Sequence, residues 1–399
     1  MSTQAIIGQL PAQQFFCTLN FKGQQIDASN IISLTIREHV LDILPRIDLT
    51  IADLGHMIET LTIEDDDILT VSIAKDSESK AFLTCDFAMG DYEVQVQGSN
   101  QMLHINMPGN LMDTDMFKIK TRAFKNKSSQ DMLKVIAQET GLPFTNPLKV
   151  IPSDQMTWYQ CTQNNYGFIK HILKRAYVFN DVVLFYANTQ NKFVYTSLNK
   201  EITKLNYKNA VYNVEQTEIK TDDNDQNIYY NSFDIVNLSA LFNNVSSIGL
   251  QASYFDAKLG SQKAMVNFPF KLLTNSSFIN KDNFGDIVYD HYYGTYNNLN
   301  LYSEKYFESE IRNKYLINNF FANSVAIQIN ADNQVQLFDK INVAIPSIVS
   351  SNNQNNVMSG MYLVGGIVHH VSLNGIYKKT LLLNRNGNNA STFRESSNK

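Results

Sequence analysis

The sequence predicts an α+β protein that is mainly β, in which two blocks of antiparallel strands are followed or interrupted by mixed helix–strand insertions. Two observations predict the strands: apolar and polar residues alternate in short segments over 13–110, and this pattern returns over 209–237 and 323–386. A third observation, the amphipathic helix patterns between the two blocks, predicts the insertions. Period-2 segments separated by polar turns favour an antiparallel barrel or sandwich.

The composition is that of a folded, mildly acidic protein. The chain has 399 residues, of which 44% are hydrophobic and 18% charged, and its net charge is −5. This length predicts two or three domains at about 150 residues each. The absence of a long lysine or arginine cluster argues against sequence-independent nucleic-acid binding. A mildly acidic wall is still compatible with a DNA conduit, because repulsion keeps the polymer from binding to it.

The sequence predicts synthesis in a bacterial cytoplasm, without a signal peptide or a membrane span. The N-terminus has neither a basic n-region nor a long apolar core, and no run of about 18 apolar residues occurs. The three cysteines, Cys17, Cys85 and Cys161, are far apart in sequence. An odd and sparse count predicts free, buried thiols in a reducing compartment.

Eight short apolar segments define the first β block. They centre on residues 15–21, 32–36, 47–51, 61–63, 68–73, 82–87, 92–96 and 103–105. The acidic run Glu64–Asp67 lies directly before Ile68. We weighed a metal or catalytic role for this run against a charged turn leading into the strand. The turn is the stronger interpretation, because Asp favours turns.

A capped helix is predicted in the first insertion. Ser128 is followed three residues later by Asp131, which matches a capping box, and Gly141 and Pro143 end the helix. The apolar face of this helix consists of Met132, Leu133, Ile136 and Ala137.

The segment Thr157–Leu198 is predicted to form a strand, a helix and a hairpin. The only tryptophan, Trp158, lies on the aromatic strand, and residues 165–176 follow as a helix. The apolar face of this helix consists of Ile169, Ile172, Leu173 and Ala176. Two aromatic runs, 182–186 and 193–195, are separated by a polar turn, which predicts the hairpin.

A calcium loop is considered and set aside in the second β block. Asp223, Asp225 and Asn227 match the start of such a loop, but its sixth position is Ile228 instead of Gly, and its twelfth is Asp234 instead of Glu. A polar hairpin tip is the better interpretation.

The region 238–322 is predicted to hold Tyr-rich loops, including 290–294, and then a helix. The predicted apolar face is Ile311, Tyr315, Leu316 and Phe320. The charged residues assigned to its solvated side are Glu304, Lys305, Glu308, Arg312 and Lys314. Glu308 and Glu310 could form a carboxylate pair for glycoside cleavage. Residues i and i+2 do not face each other on a helix, which makes this pair unsuitable.

The C-terminal part carries the strongest local signal in the chain. After a predicted strand over 335–346, two long apolar runs, 360–373 and 376–385, flank Asn374–Gly375, the preferred dipeptide of a type I′ hairpin. Gly365–Gly366 predicts a bulge or a close approach of backbones. His369 and His370 are adjacent, so on a strand they point to opposite faces and are poorly placed to share one ion.

Three of these landmarks together resemble the baseplate tail-hub proteins of contractile-tailed phages, a family shared with late-control D-type proteins and the N-terminal region of VgrG spikes. The first landmark is the capped helix after residues 124–129, and the second is Trp158 with the helix ending in Lys174–Arg175. The third is the closing pair of strands, with Tyr362, His369 and the Tyr-led run 377–383. Their order and spacing over about 120–385 are similar to the family's.

This resemblance implies two similar antiparallel β-barrels with mixed insertions, assembled as a homotrimeric, pseudo-sixfold ring. The expected domains are a first barrel over 1–110, an insertion over 111–208, a second barrel over 209–237 and 323–386 with its own insertion over 238–322, and a polar, disordered tail over 387–399. The ring would join a sixfold tail tube to a threefold spike, nucleate tube assembly and leave an axial channel for DNA ejection.

The implied partners and location follow from the same resemblance. They are the tail-tube protein, a separate spike protein, baseplate wedge proteins and a tape-measure protein, with DNA passing unbound, in the tail baseplate of a virion. The resemblance also implies that the protein is not an enzyme and that it has no catalytic, cofactor-binding or metal-binding residues. The alternatives are a spike-base protein of a type VI-like or tailocin system, a carbohydrate-binding β protein, and a cell-wall hydrolase.

Overall fold

The computed structural model describes most of the chain, with gaps. The described residues are 15–26, 28–53, 64, 67–89, 93–97, 102–111, 114–179, 181–212, 227–238, 252–256, 261–265, 291–296, 306–321, 323–329, 334–347, 355, 358–372 and 375–385.

The elements alternate between long runs of strands and short helices. The first strands are β1 (Phe16–Phe21), β2 (Gln24–Ile26), β3 (Ile31–His39), β4 (Arg46–Asp53), β5 (Ile68–Ala74), β6 (Leu83–Met89), β7 (Glu93–Gln97) and β8 (Met102–Leu111). The next are β9 (Ile119–Lys127), β10 (Phe144–Thr145), β11 (Met156–Asn164), β12 (Val183–Asn188), β13 (Lys192–Ser197), β14 (Lys208–Tyr212) and β15 (Asn227–Leu238). The last are β16 (Ala252–Asp256), β17 (Ser261–Met265), β18 (His291–Tyr296), β19 (Asn323–Ile329), β20 (Lys340–Ala344), β21 (Gly360–Ser372) and β22 (Ile376–Arg385). The helices are α1 (Thr114–Phe117), α2 (Ser129–Glu139), α3 (Asn165–Arg175), α4 (Leu198–Ile202) and α5 (Tyr306–Phe320).

Fourteen strands form one continuous sheet that contains a closed barrel. Six strands close on themselves in the order β21-β20-β14-β15-β19-β22, because β22 also pairs with β21. The other strands continue from β21 as β3-β4-β8-β6-β5-β1-β2, and β7 pairs with β8. The second β block is therefore a barrel, and the first is a sheet that extends from it.

The barrel is not purely antiparallel, which corrects the sequence-based expectation. Strand β14 runs parallel to both of its neighbours, β15 and β20. Alternating apolar residues reveal that a segment is a strand but not its direction, since the period of two is the same in either case. The direction is set by the long connections on either side of β14.

The first insertion contains two small sheets and four helices. Strands β9 and β11 form an antiparallel ribbon, and β10-β13-β12 form a three-stranded sheet. Helix α2 has the predicted capping box at Ser128 and Asp131, and its four predicted apolar residues are buried. The strand, helix and hairpin expected over Thr157–Leu198 are β11, α3 and β12–β13. Of the predicted α3 face, Leu173 is only partly buried.

Three local expectations are wrong in the C-terminal half. Residues 335–339 are not a strand, because Phe338 has a positive φ of 66° and β20 begins only at Lys340. His291–Tyr296 belongs to β18 and not to a loop. Arg312 is buried, whereas it was assigned to the solvated side of its helix. Residues 387–399, expected to be disordered, lie outside the described part of the chain.

Three hydrophobic cores hold the described elements together. One joins the first strand block to the helices of the first insertion, a second fills the barrel, and a third lies between β12–β13 and α5. A main-chain hydrogen bond of 2.8 Å from Ala187 N to Ile43 O ties the hairpin to the first sheet. Within the described residues, no helix is long and apolar enough to cross a membrane.

Candidate functional site

Strand β21 is the element on which the two β blocks meet. One edge pairs with β22 from Leu363 to Ser372. The other edge pairs with β20 up to Leu363 and with β3 from Gly366 onward. At the transition, Val364 O accepts a hydrogen bond from Phe338 N, and Gly365 O accepts one from Val40 N. The strand thus passes from the barrel to the first sheet within two residues.

The two glycines at this transition leave no room for a side chain. A Cβ on Gly365 would lie 2.1 Å from Asn384 Oδ1, and one on Gly366 would lie 2.8 Å from His39 Cδ2. The β21–β22 register shifts between Val364 and Gly366. The sequence-based prediction of a bulge or close backbone approach at Gly365–Gly366 is confirmed.

A buried polar cluster lies on the same strand, next to the transition. His369 Nδ1 and the Tyr377 hydroxyl share a hydrogen bond of 2.6 Å, and His369 Nε2 lies 3.8 Å from Glu38 Oε1. Glu38 Oε2 accepts a hydrogen bond of 3.1 Å from the Thr189 N–H in the β12–β13 turn. Lys379 faces His369 across the β21–β22 ladder. The cluster therefore links both β blocks to the first insertion.

The electrostatics of this cluster follow from its burial. Burial lowers the pKa of His369, against the opposing effect of Glu38, so the imidazole is neutral at pH 7. Burial also lowers the pKa of Lys379 to about 8 and raises the pKa of Tyr377. All four polar side chains are at most 7% exposed. A carboxylate beside a histidine could relay a proton, but both of these side chains are enclosed.

His370 points away from the cluster, as expected from its position on the strand. Its Nδ1 lies 3.0 Å from Thr35 Oγ1 on β3. The prediction that His369 and His370 face opposite sides is confirmed. Among the described residues, no group of three or more His, Cys, Asp or Glu side chains is placed to hold a metal ion.

Helix α5 carries a second buried polar site, where it contacts α3. Glu310 Oε2 forms an ion pair of 2.5 Å with an Arg175 guanidinium nitrogen. The Arg312 guanidinium lies 4.1 Å from the centre of the Tyr177 ring. Glu310 is therefore engaged with a cation, and the side chain of Glu308 lies outside the described residues. Burial of Arg312 could not be read from the sequence, because arginine on a helix usually reaches water.

Asn313 on α5 caps the C-terminal end of α3. Its Nδ2 donates to the carbonyl oxygens of Leu173, Lys174 and Ala176, at 3.1, 3.3 and 2.8 Å. The last carbonyls of a helix have no partner within the helix. A residue about 140 positions away supplies that partner here, which no local sequence signal could indicate.

The acidic run and the calcium-like run are only partly described. Glu64 N donates to Asp67 Oδ2 at 2.7 Å, and Asp67 forms an ion pair of 2.7 Å with Lys22. These contacts agree with a charged turn, while Asp65 and Asp66 are outside the described part. Residues 221–226 are outside it too, and Asp234 lies within β15.

The three cysteines differ in accessibility. Cys17 and Cys85 are free and buried, as predicted, and burial raises the pKa of both thiols, that of Cys17 to about 12. Cys161 is free but exposed, which corrects the prediction of three buried thiols. It lies on β11, where the exposed Tyr159 and Cys161 alternate with the buried Trp158 and Gln160.

Similarity to known proteins is visible in structure but not in sequence. No family model matches the chain, and no curated sequence matches it significantly. A tail protein from Neisseria meningitidis MC58 superimposes with a TM-score of 0.57 at 9% identity, over 93% of this chain and 97% of that one. The 43 kDa tail protein of prophage MuSo2 from Shewanella oneidensis gives 0.59 at 10% identity, over 93% and 98%.

A third structure is matched over only part of its own length. A chain of the Francisella PdpA–VgrG complex superimposes with a TM-score of 0.51 at 10% identity, over 94% of this chain but 58% of that one. This chain therefore has the fold of these tail proteins. The resemblance in the sequence analysis is thereby confirmed at the level of fold.

Proposed function

We propose that this protein is the structural hub of a contractile phage tail, a non-enzymatic homotrimer that joins the tail tube to a separate spike protein. The observation that carries the proposal is the near end-to-end superposition on two phage tail proteins, over 93% of this chain and 97–98% of theirs. Agreement over the whole length favours the same kind of component over a shared single domain.

The described structure supports a mechanical role in two ways. The barrel and the first sheet share β21, so force on one β block is transmitted through main-chain hydrogen bonds to the other. The buried side chains of Glu38 and His369 lie 3.8 Å apart and are enclosed. Both features suit a rigid adaptor.

The domain division and the ring form part of this proposal. The first block over 1–110 would be one domain and the barrel over 209–237 and 323–386 a second, with insertions over 111–208 and 238–322. Three copies would place six such domains around an axial channel for DNA, in a virion baseplate with wedge and tape-measure proteins as neighbours. Heterologous contacts between identical subunits close into such rings.

The proposal is tested by locating the chain in purified tail particles. We expect mass spectrometry of tails to detect it at three copies per tail, and antibody labelling to mark the tube end that carries the spike. The isolated chain, or the chain co-expressed with the adjacent spike protein, should have the mass of a trimer. Absence of the chain from purified tails contradicts the proposal.

A further inference from the structure

The β9–β11 ribbon has an unusual distribution of charge between its two faces. Its cationic side chains Lys120 and Arg122 turn inward to Glu139, which accepts hydrogen bonds from Lys120 Nζ at 3.0 Å and from an Arg122 nitrogen at 2.9 Å. Arg122 Nε also donates to Gln160 Oε1 at 2.7 Å. Burial opposes ionisation of Glu139, but these hydrogen bonds outweigh it and lower its pKa to about 2. The charges of Lys120 and Arg122 are thus satisfied inside.

The opposite face of the ribbon is exposed, and it is uncharged except for Lys125 near one end. We call it the ribbon outer face, and it consists of Ile119, Thr121, Ala123, Tyr159 and Cys161. Ile119 is 70% exposed and Tyr159 is 39% exposed. Tyr159 and Ala123 are directly opposite each other in the ladder, so their side chains lie side by side.

Cations border this face at one end of the ribbon. Lys125 and Lys127 are exposed on β9, and no acidic residue occurs between Asp115 and Asp131 in the sequence. The face therefore combines an uncharged strip with a positive border, in a chain whose net charge is −5. Uncharged centres with charged borders are typical of protein–protein interfaces.

We propose that the ribbon outer face binds another protein of the assembly, through a surface that presents uncharged side chains next to carboxylates. The partner's carboxylates would contact Lys125 and Lys127, and its uncharged side chains would cover Tyr159 and Ile119. A two-fold contact with a second copy is disfavoured, because β9 and β11 contain no carboxylate that could meet the lysines. This inference rests on the proposed structural role and names the chemistry of one partner.

The chain contains its own probe for this contact. Cys161 is exposed on the ribbon, while Cys17 and Cys85 are buried. Two samples would be treated with N-ethylmaleimide: the isolated chain, and the size fraction of a native extract that contains the chain in its assembly. Mass spectrometry would then give the rate at which each cysteine is modified. Cys161 should react at least about tenfold more slowly in the assembly than in the isolated chain, with Cys17 and Cys85 unreactive in both. Equal Cys161 rates overturn the proposal.

A carbodiimide, which joins amines directly to carboxylates, tests the stated chemistry. Cross-links from Lys125 or Lys127 to carboxylates of a different protein support the proposal. Cross-links only to another copy of this chain, or none, overturn it. The matched variant K125R/K127R keeps the positive charge but has no reactive amine, so it should lose the cross-links and retain the protection of Cys161.

Two further variants separate the contact from the fold and from the proposed role. Y159K should abolish the protection of Cys161, whereas F179K, at an exposed aromatic residue outside the ribbon, should not. Protection in an assembly without tail proteins would overturn the proposed role and leave the docking surface standing. Full reactivity of Cys161 within tail particles would overturn the docking surface and leave the proposed role standing. Recovery of the chain only as an isolated protein would overturn both the role and the docking surface.

Discussion

Gly365 and Gly366 leave no room for a side chain, because β3, β21 and β22 converge there. Asn384 occupies the space beside Gly365, where its Nδ2 donates to Ser324 Oγ at 2.6 Å. Asn384 therefore leaves no room for a methyl group at Gly365, and its amide donates a hydrogen bond to Ser324 on the neighbouring strand β19. The pair Gly-Gly in a strand predicted a close approach, but only the fold identifies what approaches.

The first prediction concerns Gly365. G365A should lower the free energy of unfolding by about 1–3 kcal/mol, since its Cβ would meet Asn384 Oδ1. In an N384A background that oxygen is absent, so the same change should cost clearly less. Urea unfolding of the four variants measures this coupling. An equal cost of G365A in both backgrounds would show that the contact with Asn384 is not the cause.

The second prediction concerns the pH dependence that Glu139 confers. Its folded-state pKa is about 2, below the ordinary value of 4.5, so its stabilisation is complete above about pH 4.5 and is lost as the pH falls towards 2. E139Q should cost about 2 kcal/mol at pH 6, a figure reduced for the partial exposure of this group. The difference from wild type should shrink between pH 4.5 and pH 2.5 in urea unfolding. A pH-independent difference would contradict the ionic contribution.

At the scale of elements, helices α2 and α3 were predictable from local sequence. The capping box of α2 and the apolar face of α3 depend on residues three and four apart, which lie next to each other whatever surrounds the helix. The relation between α3 and α5 was not predictable, because Asn313, Arg312 and Glu310 act on residues about 140 positions away. Local periodicity carries no information about such contacts.

The third prediction concerns the cap that α5 supplies to α3. N313A should lower the free energy of unfolding by about 1–2 kcal/mol, because three terminal carbonyls of α3 lose their donor. N313D should cost more, since a carboxylate would face the negative end of the helix dipole. The exposed neighbour Lys314 provides a control, and K314A should change stability by less than about 0.5 kcal/mol. Chemical denaturation measures the free energies of unfolding of the three variants. A result in which N313D is at least as stable as N313A would refute the capping role.

At the scale of the whole molecule, the two β blocks share one strand. Cys17 and Cys85 lie in the core that joins the first sheet to the first insertion, so their accessibility reports on that packing. Cys161 lies outside the core, on the ribbon. Reaction of Cys17 or Cys85 with a thiol reagent therefore reports unfolding of this core. Reaction of Cys161 reports exposure of the native ribbon surface.

The fourth prediction follows from these positions. At pH 8 the native isolated chain should take up one maleimide, at Cys161, and three in denaturant. Burial excludes the reagent from the other two thiols and raises their pKa values. Intact-mass spectrometry counts the labels, and C161S should take up none while native. Labelling of Cys17 or Cys85 in the native chain would contradict the packing of this core.

The sequence by itself determined the nature of several elements: most period-2 runs specified strands, the capping box specified α2, and the Asn374–Gly375 pair between two apolar runs predicted the β21–β22 hairpin, whose pairing the structure confirms up to Ser372 and Ile376. The order of these landmarks also indicated a tail-hub fold. Only the tertiary structure decided that β14 is parallel, that Arg312 and Lys379 are buried, and that the ribbon turns its charges inward. The reason is physical. Strand and helix periodicities arise between neighbours in sequence, whereas strand direction, buried ion pairs and exposed faces arise from residues brought together across the whole chain.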